Sequence, residues 1–146
     1  MTALPRVLLV DPATRDRLIV VSGLQGIADV HTPEPSDHPV RLVRHNRYDI
    51  VLIALPRLAA RRGLGLVRTL KTDGGRPPPV GVLDPWRRLR DIPGAMESSL
   101  ADGYLGGSVD ASVLADFLAA LQAGDRPLVK RPSPSRSLWG RLRGGF

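Results

Sequence analysis

The chain has no cysteine among its 146 residues. Disulfides and thiolate metal sites are therefore excluded, and a small secreted fold that depends on covalent staples is not expected. No uninterrupted apolar stretch approaches the roughly 20 residues that span a bilayer. The opening segment MTALPRVLLVDPATR has too short an apolar run for a signal peptide and meets an acid at once. A cytoplasmic protein is expected. Neither the dinucleotide-binding glycine fingerprint nor the Walker pattern occurs, and no Ser/His/Asp arrangement suggests a hydrolase. His31, His38 and His45 have no acids or cysteines clustered beside them, so they read as solvated side chains rather than metal ligands. No metal and no cofactor are expected, and the protein is not expected to be an enzyme.

What is present is an ordinary apolar content of 42%, enough to bury the core of one domain. The net charge of +7 is unevenly placed. Arg126, Lys130, Arg131, Arg136, Arg141 and Arg143 crowd the last segment against a single acid, Asp125. The remainder of the chain is nearly neutral, so the basic character is local and does not mark the whole protein as a nucleic-acid binder. The division expected is a folded domain over residues 1–124 and a basic, flexible tail over residues 125–146.

Within the domain, short apolar runs alternate with helical patterns. Arg6 to Val10 reads as a buried strand, stopped by Asp11-Pro12. Ala13 to Leu24 reads as a helix with Leu18, Val21 and Leu24 on its apolar face. Gly26 to Val30 is a weaker strand and Val40 to Asn46 a short helix. Asp49 to Leu55, DIVLIAL, is a continuous β-branched and aliphatic run stopped by Pro56. Gly63 to Lys71 is helical, and Pro79 to Leu83 is a fourth strand ended by Asp84-Pro85. Pro93-Gly94 delays the next helix to about Ala95–Leu100. Gly103 to Leu105 is a fifth strand. Val109 to Ala123 is a helix capped by Asp110 and stopped by Gly124. Five βα units in sequence predict a flavodoxin-like α/β three-layer sandwich. Its five-stranded parallel sheet has the order 2-1-3-4-5, with helices on both faces and sites at the carboxyl ends of the strands.

The residues at those strand ends carry a family resemblance. VLLVD at Val7–Asp11, DIVLIALP at Asp49–Pro56, RGLGLVRTLK at Arg62–Lys71, PVGVL at Pro79–Leu83 and ADGYL at Ala101–Leu105 resemble the receiver domains of response regulators. The resemblance implies the fold, a bacterial two-component signalling context and contact with partner proteins. It also implies where phosphoryl transfer occurs in the family, and each such position departs from the pattern. Ala54 (or Leu55, if the register shifts) stands where the aspartate acceptor is expected. Pro12 replaces the second acid of the pair begun by Asp11. Asp84 stands at the switch Ser/Thr position, and Gly107 at the lysine position. Neither alanine nor leucine has a nucleophilic oxygen, so aspartyl phosphorylation cannot occur at that position. Asp11 and Asp84 are too few to cage a cation and read as surface acids at strand ends. The expectation is a pseudo-receiver that acts by binding, independently of phosphorylation.

Two surfaces are candidates for that binding. Trp86, Arg87, Arg88 and Arg90, with Tyr104 beside them, lie where receivers commonly meet partners. The second is the tail. Arg126 to Pro134 is expected to be extended and loosely ordered. The end, SRSLWGRLRGGF, places Leu138, Trp139, Leu142 and Phe146 on one side if wound as a helix, with Arg136 and Arg143 flanking and Arg141 opposite. Such a segment suits a protein groove or an anionic membrane surface. Arg131, Arg136, Trp139, Arg141 and Arg143 also look somewhat like the arginine-rich extension with which a subset of receiver-like proteins binds cyclic di-GMP. Stacking on nucleic-acid bases is a weaker alternative.

Overall fold

The computed structural model describes residues 3–10, 14–34, 36–56, 60–73 and 76–132. Strands β1 (Arg6–Val10), β2 (Asp29–His31), β3 (Ile50–Ala54), β4 (Val80–Asp84), β5 (Gly103–Gly106) and β6 (Leu128–Lys130) alternate with helices α1 (Thr14–Leu24), α2 (Pro39–His45), α3 (Ala60–Thr72), α4 (Ile92–Ser99) and α5 (Ala111–Ala123). The strands form one sheet in the order β2-β1-β3-β4-β5-β6, and every pairing is parallel.

The central strands are buried along their whole length, so they carry apolar residues on both faces rather than alternating with polar ones. One face packs Leu8, Val51 and Ile53 under Val40 of α2, Val67 and Leu70 of α3 and Met96 of α4. The other packs Val7, Leu9, Ile50 and Leu52 against Val20 and Leu24 of α1 and Leu114, Phe117 and Leu121 of α5. The flavodoxin-like architecture is as expected, with one strand more than the five the sequence pattern suggests.

That sixth strand is cut from the segment expected to be loosely ordered. Gly124 ends α5 in the left-handed conformation, at φ 77°. The chain then returns along β5, with Tyr104 N donating to Pro127 O at 2.8 Å, Arg131 N to Gly106 O at 2.8 Å and Ser108 N to Pro132 O at 2.9 Å. Without it β5 would be an open edge, with unpaired backbone groups. The strand has little sequence signature because backbone pairing does most to hold it: Val129 packs against the core, but Leu128 is 46% exposed and Lys130 is exposed.

Two helices also differ from expectation. On α1 the buried residues are Val20 and Leu24, while Leu18 is 64% and Val21 38% exposed. Residues 18–21 are apolar all round, so spacing alone does not choose a face. Packing chooses it: Gly23 lies so close to Leu114 of α5 that a Cβ there would crowd its δ1 methyl. Helix α4 begins before Pro93 rather than after it. Asp91 caps it, accepting from Gly94 N at 3.1 Å, and Pro93 falls in the first turn, where a missing N–H costs nothing.

Candidate functional site

The candidate site is the carboxyl rim of β3, β4 and β5. Ala54 ends β3 and pairs with Leu83 of β4. Its side chain joins Leu83 and Leu105 on the α1/α5 face, while Leu55 turns to the opposite face and packs against Gly63 of α3. Ala54, and not Leu55, therefore lines the pocket at the rim. It lines a pocket of about 110 Å³ with Ile19, Val20, Leu83, Leu105 and Val109, closed at the edges by Pro85, Gly107 and Ser108. None of these lining residues carries a carboxylate. Asp11 lies outside the described residues.

The other rim acid behaves differently from a surface carboxylate. Asp84 is only 1% exposed. One of its side-chain oxygens accepts from Arg88 N at 2.9 Å, and the other from Leu89 N at 3.1 Å and from the Tyr104 hydroxyl at 2.8 Å. Its carbonyl accepts from Arg87 N at 3.0 Å and Gly107 N at 2.9 Å. Asp84 thus organises the turn after β4 and ties it to β5. Burial raises the Tyr104 phenol pKa above its ordinary value, and the hydrogen bond to Asp84 adds to the effect. Tyr104 is 0% exposed, which removes it from the candidate partner face.

The glycine pair after β5 has a separate reason at each position. Asp84 is in register with Gly106, and Tyr104 lies two residues earlier on the same side of the strand. A Cβ on Gly106 would collide with the Tyr104 hydroxyl, so glycine leaves the path by which the phenol reaches Asp84. Gly107 has φ 93°, and a side chain there would strike the carbonyl of Arg131. The segment at the end of the sixth strand, Arg131 and Pro132, occupies the space a side chain would need. Arg131 in turn pairs with Asp110 at 3.2 Å, and Asp110 caps α5 by accepting from Val113 N at 2.9 Å. The Val113 N–H first, then Arg131, hold the Asp110 carboxyl below its ordinary pKa.

Of the remaining expected site residues, Arg87, Arg88 and Arg90 are exposed on the turn that Asp84 holds, with Trp86 half-buried beside them. Arg131 is at the rim and engaged with Asp110. Arg136, Leu138, Trp139, Arg141, Leu142, Arg143 and Phe146 lie outside the described residues. His31, expected in solvent, is half-buried and meets the Tyr48 hydroxyl at 2.5 Å. Among the described residues no three histidines or carboxylates gather as a metal site. No helix among them is long and apolar enough to cross a membrane.

Sequence reasoning named Asp84 and Tyr104 but did not join them. The signal was available: adjacent parallel strands put residues at matching rim positions side by side, and a tyrosine two residues before a glycine on the same face has room to reach across. It missed the sixth strand's hold on Gly107 and the apolar exposure of α1, which leave no comparable mark.

The rim and sheet define the class: a flavodoxin-like parallel α/β domain whose rim at Ala54 is apolar. The fold is that of solved response-regulator structures. The chemotaxis response regulator CheY4 of Vibrio cholerae matches with a TM-score of 0.64 at 17% identity, covering 82% of this chain and 99% of that one. The receiver domain of a sensor histidine kinase from Pseudomonas aeruginosa, which has a magnesium ion coordinated in its active-site cleft, matches at 0.61 and 19% identity, covering 83% and 99%. The response regulator ChrA of a heme-sensing two-component system matches at 0.61 and 26% identity, covering 96% of this chain and 66% of that one. No protein-family model matches the chain, and no curated protein does.

Proposed function

We propose that the protein is a receiver-like signalling adaptor that works without aspartyl phosphorylation. The observation that carries this reading is Ala54, seated in an apolar pocket at the strand end where a receiver places its acceptor. Phosphoryl transfer needs an attacking oxygen, a metal held by acids and a cation to pair with the product. Ala54 supplies no such oxygen and Gly107 no cation, while Asp84 spends its oxygens on Tyr104 and two backbone amides. The domain then acts by docking. The exposed arginines at 87, 88 and 90 form one contact, and the basic segment after Pro132 forms a second. Two joined contacts raise avidity through effective concentration.

The test is capture of interacting proteins from the native cell. Three baits are compared: the full chain, the chain ending at Pro132, and the triple variant Arg87→Glu, Arg88→Glu, Arg90→Glu. The truncation point follows β6, because a cut at Gly124 would strip β5 of its neighbour. Each bait is used with and without a small phosphodonor, at two salt concentrations. The adaptor reading expects one set of partners that weakens in both variants and ignores the phosphodonor. Partners that appear only with the phosphodonor would overturn it.

A further inference from the structure

The pocket at Ala54 is apolar, and the described chain ends beside it. Its lining is apolar: Ile19, Ala54, Leu83, Leu105 and Val109 form most of it. A cavity of roughly 150 Å³ lined by such residues stays dry and takes a benzene-sized group, and this pocket, at about 110 Å³, is suited to one branched side chain. The apolar surface continues outward over α1, where Ile19 is 44% and Leu18 64% exposed. Because β6 is parallel to the other strands, it ends at the same rim. Its last described contact is Ser108 N to Pro132 O at 2.9 Å, and Ser108 itself lines the pocket.

After Pro132 the sequence continues to Phe146, and its large apolar residues are Leu138, Trp139, Leu142 and Phe146. Leu138 is six positions past Pro132. Six residues span at most about 20 Å when extended, and a flexible stretch of that length averages about 13 Å end to end. A side chain tethered that close is present at roughly millimolar effective concentration.

We infer that the carboxyl-terminal segment folds back on its own domain and seats Leu138 in the Ala54 pocket, with Trp139 covering Ile19 and Leu18 of α1. Arg136, Arg141 and Arg143 stay in water. The contact is intramolecular. It makes the acceptor corner a dock for the tail, so that a partner engaging the tail must first release it. This deepens the adaptor reading and rests on it only for that last step; the docking itself is a property of the isolated chain.

Trp139 reports the contact once Trp86→Phe leaves it as the single tryptophan of the full chain. Its emission is expected to be blue-shifted relative to a synthetic peptide of residues 133–146, with a severalfold lower acrylamide quenching constant, both independent of protein concentration. Ala54→Leu, which fills the pocket, and Leu138→Asp, which leaves every described residue unchanged, are each expected to move Trp139 to the peptide's values. Peptide-like emission in the parent chain would overturn the inference. So would protection that survives both substitutions, or protection that grows with concentration and so reports a second copy. A failed capture experiment with intact Trp139 protection would remove the adaptor reading and leave this one standing.

Discussion

The two sides of the rim have taken opposite routes. On the α3/α4 side there is a buried acid, and every oxygen it has is used: Asp84 holds Tyr104 and the turn at Arg88 and Leu89. On the α1/α5 side, across the same sheet, β3 ends in Ala54 and the space is lined by aliphatic residues. A polar group in an interior is tolerated when it is fully bonded, and an apolar pocket when nothing charged must enter it. Each side satisfies one of these conditions. The comparison teaches that Asp84 is a structural fastening and that the open apolar surface of the rim lies on the other side.

Substitutions break this contrast in order of size. Asp84→Ala strands the Tyr104 hydroxyl and two backbone amides, and at about 1–3 kcal/mol for each unsatisfied buried group the loss reaches roughly 3 kcal/mol or more. Denaturant unfolding measures it. A cost near that of a surface change would mean Asp84 is not a fastening. Gly107→Lys forces a side chain into a positive-φ position and against the carbonyl of Arg131. It should cost at least about 2 kcal/mol and should increase hydrogen exchange along β6.

Tyr104→Phe keeps the ring and removes one hydrogen bond, for a loss of about 1 kcal/mol. It also sharpens the pH behaviour. The folded phenol pKa is raised, so its contribution is complete below the unfolded value of about 10 and is lost as the pH rises above it. Tyr48 shifts the same way, chiefly through burial. The Phe variant should therefore show a shallower alkaline loss of stability than the parent, not a flat one. The smallest effect is at Asp110, which is fully exposed. Its pKa is lowered, so its contribution is present above the ordinary aspartate value of about 3.9 and is lost as the pH falls through the folded value. Asp110→Asn should flatten that part of the acid transition while preserving α5, because asparagine also caps helices.

Much of this was legible from residues alone. The DIVLIAL run, the Asp110 and Gly124 caps and the alternation of elements fixed the architecture, because buried parallel strands and capped helices leave strong local signals. Ala54 was legible as the residue that ends β3 for the same reason: a strand end is easily located. What escaped depended on neighbours distant in sequence. The face of α1 was set by Gly23 against Leu114, the start of α4 by a single cap at Asp91, and β6 by hydrogen bonds that any side chain permits. Asp84 was read as a surface acid because nothing in its own segment announces that Tyr104 lies across from it.

The claim that the rim takes no phosphoryl group is tested most directly by intact-mass measurement of the full chain after incubation with acetyl phosphate and Mg²⁺. The account predicts an unchanged mass. A phosphoryl adduct that hydroxylamine removes would contradict it.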